Sequence, residues 1–330
     1  MTAVGINRDA TARFYQAVAE DREKWGSHGL PRASSIGSDL RQQWFELMHE
    51  KYPDDPQYIP SLITGEAYWR MDEGKWQEPE VYDILRKQGY LVSQVQGSAV
   101  RYLDPAGQVQ SLVVPDESYL KLEVARLKRE DGVTPLVTMH IDGVITGGPD
   151  DLPPTLLELK KITMFSYSGC VQNGIFAEKR QYYLQSQVCA QSFGLAGVRM
   201  MVFSKDPSAT SWLFTTMRSK NPIHENPGLY IEDMRIDPTA VTLADARARH
   251  VLECVEREEP PVTDPGIDVR NAKILRNGET QRVFPCSHCD YLVPCEQRYW
   301  RDGVDPKQWI VVEDNRLKKD REETPNAPVS

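Results

Sequence analysis

The sequence has no long apolar run. No apolar stretch in its 330 residues approaches the ~20 residues that a membrane-spanning helix needs. The first residues, MTAVGINRDATARF, also lack the apolar segment of a signal peptide. These absences argue against a membrane partner and predict a protein that works in a cytoplasm.

An excess of basic residues is also lacking. The net charge is −9, and the pI is near 5.3. This balance argues against a general basic coat for nucleic acid, because phosphate binding needs Lys and Arg. Local clusters could still line a binding path for DNA, although each pair by itself is better explained as solvated surface. They are Lys160-Lys161, Lys179-Arg180 and the pair Arg298 and Arg301. Six cysteines in a cytoplasmic chain do not indicate a disulfide framework, and there is no internal repeat.

Two short apolar runs predict neighbouring strands of one sheet. They are Leu136 to Ile145 and Thr155 to Ile162, separated by the turn-forming GGPDDLPP. Side chains alternate faces along a strand, so Glu158 and Lys160 share a side and can meet Asp142. Acids among Ile, Val and Leu are costly to desolvate without partners, and a divalent cation is the usual partner of such a pair. A solvated strand face is the alternative explanation for this stretch alone.

An Asp followed on the next strand by Glu-x-Lys resembles the PD-(D/E)XK nuclease superfamily. Gly143, directly after Asp142, and the apolar residues before Glu158 belong to the resemblance. It implies an α/β (α+β) fold with a restriction-endonuclease-like core, in which helices flank a central mixed β-sheet.

Helical periodicity predicts two helices near the N-terminus. One covers residues 7–25, and the other is SIGSDLRQQWFELMHEK, which Ser34 or Ser35 can cap. The second segment resembles the S-x-I-G-x-(Cys)-x-R-x-x-W opening of RecB-like nucleases that carry an iron–sulfur cluster. Asp39 stands at the cysteine position, with Trp44 in register.

A further helix is predicted in GKWQEPEVYDILRKQGY, with Gly89 as its C-terminal stop. In the resembling family a G-x-x-x-(Glu/His) helix adds a metal ligand, and Gly74-x-x-x-Glu78 fits that pattern. Glu80 is the competing assignment. Each glutamate by itself also fits a solvated helix surface.

Strands are also predicted near 91–103 and 108–114, divided by a turn at 104–107, and at VRMMVFSK and TSWLFTTM, which are expected to pair. DPTAVTLADARARHVLECVEREE predicts a long helix. The residues expected on its inward face are Leu243, Ala246, His250 and Val251.

RecB-like enzymes carry a Gln-x-x-x-Tyr helix directly after the Glu-x-Lys strand. KRQYYLQSQVCAQSFGL fits this motif in part. Gln185 is present with Tyr182 and Tyr183 before it, and Cys189 stands where the motif has its tyrosine.

The cysteine triad Cys286, Cys289 and Cys295 has the spacing C-x2-C-x5-C, which can bind one soft metal centre. It resembles the C-terminal triad of iron–sulfur RecB-like exonucleases, including CRISPR-associated enzymes and their phage relatives. The resemblance implies a 4Fe-4S cluster, with Asp39 or water in the fourth position. His288 could instead complete a tetrahedral zinc site. In each version the metal has a structural role and would tie residues 35–45 to residues 284–297. We call this metal site the clasp.

These features predict a division of the chain into four parts. An N-terminal helical segment (1–60) packs on the clasp, a nuclease core follows (61–260), and a cysteine metal-binding segment (261–314) precedes a disordered tail (315–330). The other cysteines, expected to be buried as small hydrophobes, are Cys170, Cys189 and Cys254.

The ordered motifs predict a metal-dependent DNA nuclease, an exonuclease of phage or prophage type that acts on DNA ends in recombination, replication or repair. Its compartment would be a bacterial or phage-infected host cytoplasm. The resemblance implies that Glu78, Asp142, Glu158 and the carbonyl of Leu159 hold one or two Mg²⁺ or Mn²⁺ ions. Lys160 would orient the nucleophile and offset charge on the phosphorus.

Neighbouring residues have supporting roles in this hypothesis. Gln185 and Tyr183 would steady the lysine or its strand, and His140 could approach the same face. Tyr182, Tyr183 and Lys161 are candidate contacts with DNA.

The alternative is a non-catalytic DNA-binding or assembly factor with a degenerate core. It is supported by the loss of two motif residues, since Cys189 replaces the tyrosine and Asp39 replaces the cysteine. A sequence-specific endonuclease ranks third. The expected partner is DNA with linear ends, single- or double-stranded, together with a recombination annealing protein or a single-strand-binding protein.

Overall fold

The computed structural model describes residues 13, 31–60, 78–94, 97–114, 117–127, 132–205, 228–262, 271–274, 280–282, 295 and 310–312. The chain divides into two compact units. Unit 1 comprises Met1–Ser38 and Thr64–Leu252, and unit 2 comprises Asp39–Ile63 and Glu253–Ser330.

Unit 1 contains two β-sheets. Its described strands are β1 (Leu91–Ser93), β2 (Gly97–Leu103), β3 (Val109–Val114), β4 (Thr134–Ile141), β5 (Gly143–Gly147), β6 (Thr155–Ile162), β7 (Gly197–Ser204) and β8 (Leu229–Arg235). The central sheet has the order β1-β5-β6-β7-β8, with β6 and β7 parallel and the other neighbours antiparallel. The order β3-β2-β4 forms a second, antiparallel sheet.

In unit 2, three short strands form a further sheet in the order β10-β9-β11. They are β9 (Asn271–Ile274), β10 (Thr280–Arg282) and β11 (Ile310–Val312). The described helices of the chain are α1 (Leu40–Lys51), α2 (Glu78–Lys87), α3 (Glu117–Leu127), α4 (Met164–Glu178), α5 (Arg180–Ser192) and α6 (Pro238–Arg257), with a 3-10 turn at Ala33–Ser35.

Helices cover both faces of the central sheet. On one face Leu156 of β6 belongs to a core that also contains Leu184 of α5. On the other face Leu157 packs in a core with Tyr82 and Leu85 of α2. A mixed sheet flanked by helices confirms the predicted α/β fold class, and it is consistent with a restriction-endonuclease-like core.

The predicted strand from Leu136 to Ile145 is not continuous. The chain leaves the second sheet at Ile141 and enters the central sheet at Gly143, so only β5 pairs with β6 as predicted. The predicted strand 91–103 is divided in the same way, into β1 and β2. Asp142 therefore lies where the chain passes from one sheet to the other.

The start of the helix after Ser35 differs from the prediction. Ser34 and Ser35 lie in the 3-10 turn, and the side chain of Asp39 caps α1 by accepting a hydrogen bond from the Arg41 backbone N–H, at 3.0 Å. An aspartate is as good an N-cap as a serine. The helix therefore begins five residues later than Ser35.

The inward face of α6 was predicted correctly only at Val251. Leu243, Ala246 and His250 are exposed. The buried residues of this helix in unit 1 include Val241, Ala244, Asp245, Ala248 and Val251. A hydrophobic pattern cannot identify this face, because a buried aspartate occupies one of its central positions.

Gly37 permits a close contact within unit 1. A Cβ atom at Gly37 would lie 2.3 Å from the Cα of Gln181 in α5, and the Gln181 side-chain amide donates to the Ser34 carbonyl at 2.6 Å. A backbone atom cannot move aside as the end of a side chain can. The motif glycine therefore holds the segment before α1 directly against α5.

Gly37→Ala is expected to lower the free energy of unfolding by about 3 kcal/mol, because it overpacks this contact. Gly107→Ala is the control. Gly107 has φ 76° in the predicted turn, and no atom lies within 4 Å of a Cβ atom added there. Alanine at this position therefore costs only about 1 kcal/mol of backbone strain. Urea denaturation of both variants measures the difference, and equal losses would contradict the steric explanation.

Some predicted elements lie outside the described residues: the helix at 7–25 apart from Arg13, the strand TSWLFTTM, and the tail 315–330. The described neighbours of β7 are β6 and β8. Among the described helices, none is both long and apolar enough to cross a membrane.

Candidate active site

The two predicted acids lie next to the paired part of β5 and β6. Gly143 pairs with Leu157 and Val144 with Leu156. Asp142 directly precedes the first paired residue of β5, and Glu158 directly follows Leu157 on β6. The hydrogen bond from Gln185 shows that Glu158 faces α5.

Glu158 and Lys160 form a close ion pair. Lys160 Nζ lies 2.6 Å from Glu158 Oε1, which also accepts a hydrogen bond from the Gln185 side-chain amide at 3.2 Å. Glu158 is only 1% exposed. Burial favours a lower pKa for Lys160, but the charge and hydrogen bond of Glu158, with the charge of Asp142, outweigh it and raise the pKa above its ordinary value. Lys160 therefore stays protonated.

The two tyrosines before Gln185, Tyr182 and Tyr183, have different partners. The Tyr182 ring lies 5.1 Å from Lys160 Nζ, a cation–π distance. The Tyr183 hydroxyl donates to Asp237 at 3.0 Å, and its ring meets Phe176 edge-on. Tyr182 is thus the tyrosine that the structure brings to the lysine.

The N-terminal part of α2 contains the third predicted acid and a residue that sequence reasoning missed. Glu78 is the first residue of α2, and Tyr82 lies one helical turn later. Burial raises the pKa of Tyr82, and the negative charges of Asp142, Glu78 and Glu158 raise it further. All three predicted acids therefore act on one hydroxyl. The i, i+4 spacing of a glutamate and a tyrosine was the only available signal.

The carboxylate oxygens of the three acids are ligands of the kind that Mg²⁺ and Mn²⁺ prefer. As the side chains stand, no three His, Cys, Asp or Glu residues of the described part of the chain form a ready metal site. Lys160 and Gln185 both contact the same oxygen of Glu158, Oε1. Glu80, the competing assignment for Glu78, is exposed. The carbonyl of Leu159 stays a predicted ligand.

Cys189 borders the ion pair from α5. It is fully buried, and burial raises its pKa, with Glu158 and Asp142 adding to the effect and Lys160 opposing it. A neutral thiol therefore occupies the position where the motif has a tyrosine. Cys170 and Cys254 are buried as well, as predicted.

His140 and Lys161 are close in sequence to the charged residues of the site: His140 is two residues before Asp142, and Lys161 follows Lys160 on β6. A ring nitrogen of His140, Nδ1, lies 2.8 Å from the hydroxyl of Ser98 on the neighbouring strand β2. Lys161 is half-buried next to Lys160. Its contact with DNA stays a prediction.

The predicted clasp belongs to unit 2. Cys295 is half-buried, and Asp39 caps α1, whereas Cys286, Cys289 and His288 lie outside the described residues. The iron–sulfur and zinc alternatives therefore both stay predictions.

No protein-family model matches the sequence, and no curated protein matches it significantly. The solved structures to which the chain is similar include SSO0001, at 8% identity and a TM-score of 0.44, covering 86% of this chain and 95% of that chain. An alkaline exonuclease, LHK-Exo from Laribacter hongkongensis, has 14% identity and a TM-score of 0.40, covering 74% of this chain and 93% of that chain. LHK-Exo in complex with dAMP gives a TM-score of 0.41 at the same identity and coverage.

Proposed function

We propose that the chain is a metal-dependent DNA nuclease that hydrolyses phosphodiester bonds at DNA ends. The observation that carries the proposal is the 2.6 Å ion pair of Lys160 with Glu158 on β6, whose neighbouring strand β5 begins directly after Asp142. Charged groups held together at a nearly buried position are characteristic of sites that stabilise charge during a reaction.

Glu78, Asp142 and Glu158, with the Leu159 carbonyl, would hold the divalent ion. Lys160 and Gln185 both contact Oε1 of Glu158, and Oε2 is the oxygen that we propose for the metal. A bound Mg²⁺ or Mn²⁺ supplies a water of lowered pKa and positive charge beside the scissile phosphate. A catalytic metal is thus compatible with the ion pair.

Lys160 would hold the attacking water in line and stabilise negative charge that develops on the phosphate. Gln185 fixes Glu158 from α5, and the Tyr182 ring restricts where the ammonium group can lie. The site would therefore be positioned by β6 and α5 together. Such support from rigid elements keeps reacting groups in place.

Linear duplex DNA is expected to be degraded in the presence of Mg²⁺ or Mn²⁺, and EDTA is expected to stop the reaction. Covalently closed circular DNA of the same sequence is the matched control, and it should remain intact because it has no ends. Release of acid-soluble nucleotides measures the reaction on both substrates.

Binding of DNA without cleavage under either metal would contradict hydrolysis and favour the DNA-binding or assembly factor. Cleavage of circles at defined positions would instead favour the sequence-specific endonuclease. Degradation that continues in EDTA would contradict the role of the acids as metal ligands.

A further inference from the structure

Tyr82 has a buried hydroxyl for which sequence motifs assign no role. The side chain is 0% exposed, and its hydroxyl has no hydrogen-bond partner in the described part of the chain. The ring packs with Leu157 and Ile145 of the central sheet, which explains the burial of its carbon atoms. Phenylalanine would fill the same space, so packing does not explain the hydroxyl.

The position of the hydroxyl is defined by Gly143. A Cβ atom at Gly143 would lie 3.6 Å from the Tyr82 hydroxyl, 3.3 Å from the Tyr82 ring and 3.1 Å from the Ser93 carbonyl. The tip of the tyrosine therefore lies against the backbone of the residue that follows Asp142. This is where the chain passes between the two sheets, at the acid end of the candidate site.

An unpaired buried hydroxyl destabilises a fold, because it loses its hydrogen bonds to water without replacement. The charges of Asp142, Glu78 and Glu158 all act on this hydroxyl, yet none of their oxygens accepts a hydrogen bond from it. An acceptor placed beside the hydroxyl would give it the hydrogen bond that it lacks. A water ligand of a cation held by those carboxylates has the required chemistry.

We propose that Tyr82 is a positioning residue whose hydroxyl donates a hydrogen bond to a water ligand of the divalent cation held by Glu78, Asp142 and Glu158. The inference rests on the proposed function, since it requires the cation. Tyr82 would fix the orientation of that water and raise the affinity of the site for the ion. It does not require DNA, so it can be tested on the protein alone.

Tyr82→Phe removes only the hydroxyl. The full-length variant is expected to bind Mn²⁺ about 10-fold more weakly than the wild type, the lower end of the effect of outer-shell partners. Isothermal titration with Mn²⁺ in the absence of DNA measures the affinity. The melting temperature of the metal-free variant should stay unchanged or rise, because no hydrogen bond is lost there.

Tyr230→Phe is the matched control. Its hydroxyl donates to Glu232 at 2.8 Å on β8, so its loss should lower the melting temperature and leave Mn²⁺ affinity unchanged. Wild-type affinity in Tyr82→Phe would overturn the inference and leave the proposed function standing. A wild-type protein that binds no Mn²⁺ would overturn both. A lower melting temperature of metal-free Tyr82→Phe would show a structural hydrogen bond and also overturn the inference.

Discussion

Replacing Lys160 by methionine is expected to reduce the kcat of DNA cleavage by about 10²- to 10³-fold, the usual effect of removing one group that stabilises charge in the transition state. Methionine keeps the length and apolar contacts of the side chain without its charge. The ammonium group lies 2.6 Å from Glu158 and is held above the Tyr182 ring. Its position is thus built into two elements of the fold, and a change of kcat is expected in preference to a change of KM.

Lys161→Met is the matched control for this experiment. Lys161 is the next residue along β6 and points to the other side of the strand. As a phosphate contact it would affect KM and its dependence on salt, with kcat retained. Full turnover in Lys160→Met would contradict the assignment of this lysine to the reaction.

The Lys160 variant is also expected to be less stable. It leaves the Glu158 carboxylate nearly buried without its cation, which costs about 3–5 kcal/mol when one partner of a buried pair is removed. Cleavage should therefore be measured at a temperature where circular dichroism shows the variant folded. The double variant Lys160→Met, Glu158→Gln removes both charges, and most of the stability should return while cleavage stays absent.

Much of this site could be predicted from local sequence pattern. The run Thr155 to Ile162 is a strand of the predicted length, and its acid and lysine share a side because alternation along a strand is a local property. The register with β5 follows from a turn between two apolar runs. Gln185 could be assigned from its motif, and the structure gives it a hydrogen bond to Glu158.

Other features depend on tertiary contacts that no local pattern contains. The passage of the chain between two sheets at Asp142 does not interrupt the apolar run, so the run was predicted as one strand. Tyr82 belongs to no motif, and only its burial beside Gly143 relates it to the acids. The inward face of α6 was predicted wrongly because it contains a charged residue. Asp245 is buried there in an ion pair with Arg101 of β2, a strand far away in the sequence.

That ion pair leads to an expected loss of stability as large as that of the Lys160 variant. Asp245→Ala is expected to lower the free energy of unfolding by about 3–5 kcal/mol, because it leaves the Arg101 guanidinium buried and without its counter-ion. The pair is bidentate, at 2.9 Å and 2.6 Å, and both side chains are 6% exposed. The remaining partners of Arg101, Gln191 and Ser192, are neutral acceptors at 3.2 Å and 3.3 Å that cannot balance its charge.

Asp83→Ala is the matched control, since Asp83 and Arg86 form a 3.0 Å pair with side chains 64% and 45% exposed. Its loss should change stability by no more than about 0.5 kcal/mol, because water solvates both groups once they separate. Guanidinium chloride denaturation compares the two variants, and similar midpoints would contradict the buried-charge explanation. If the charge itself is responsible, Arg101→Met combined with Asp245→Leu should recover most of the loss, because two apolar side chains leave no charge without a partner.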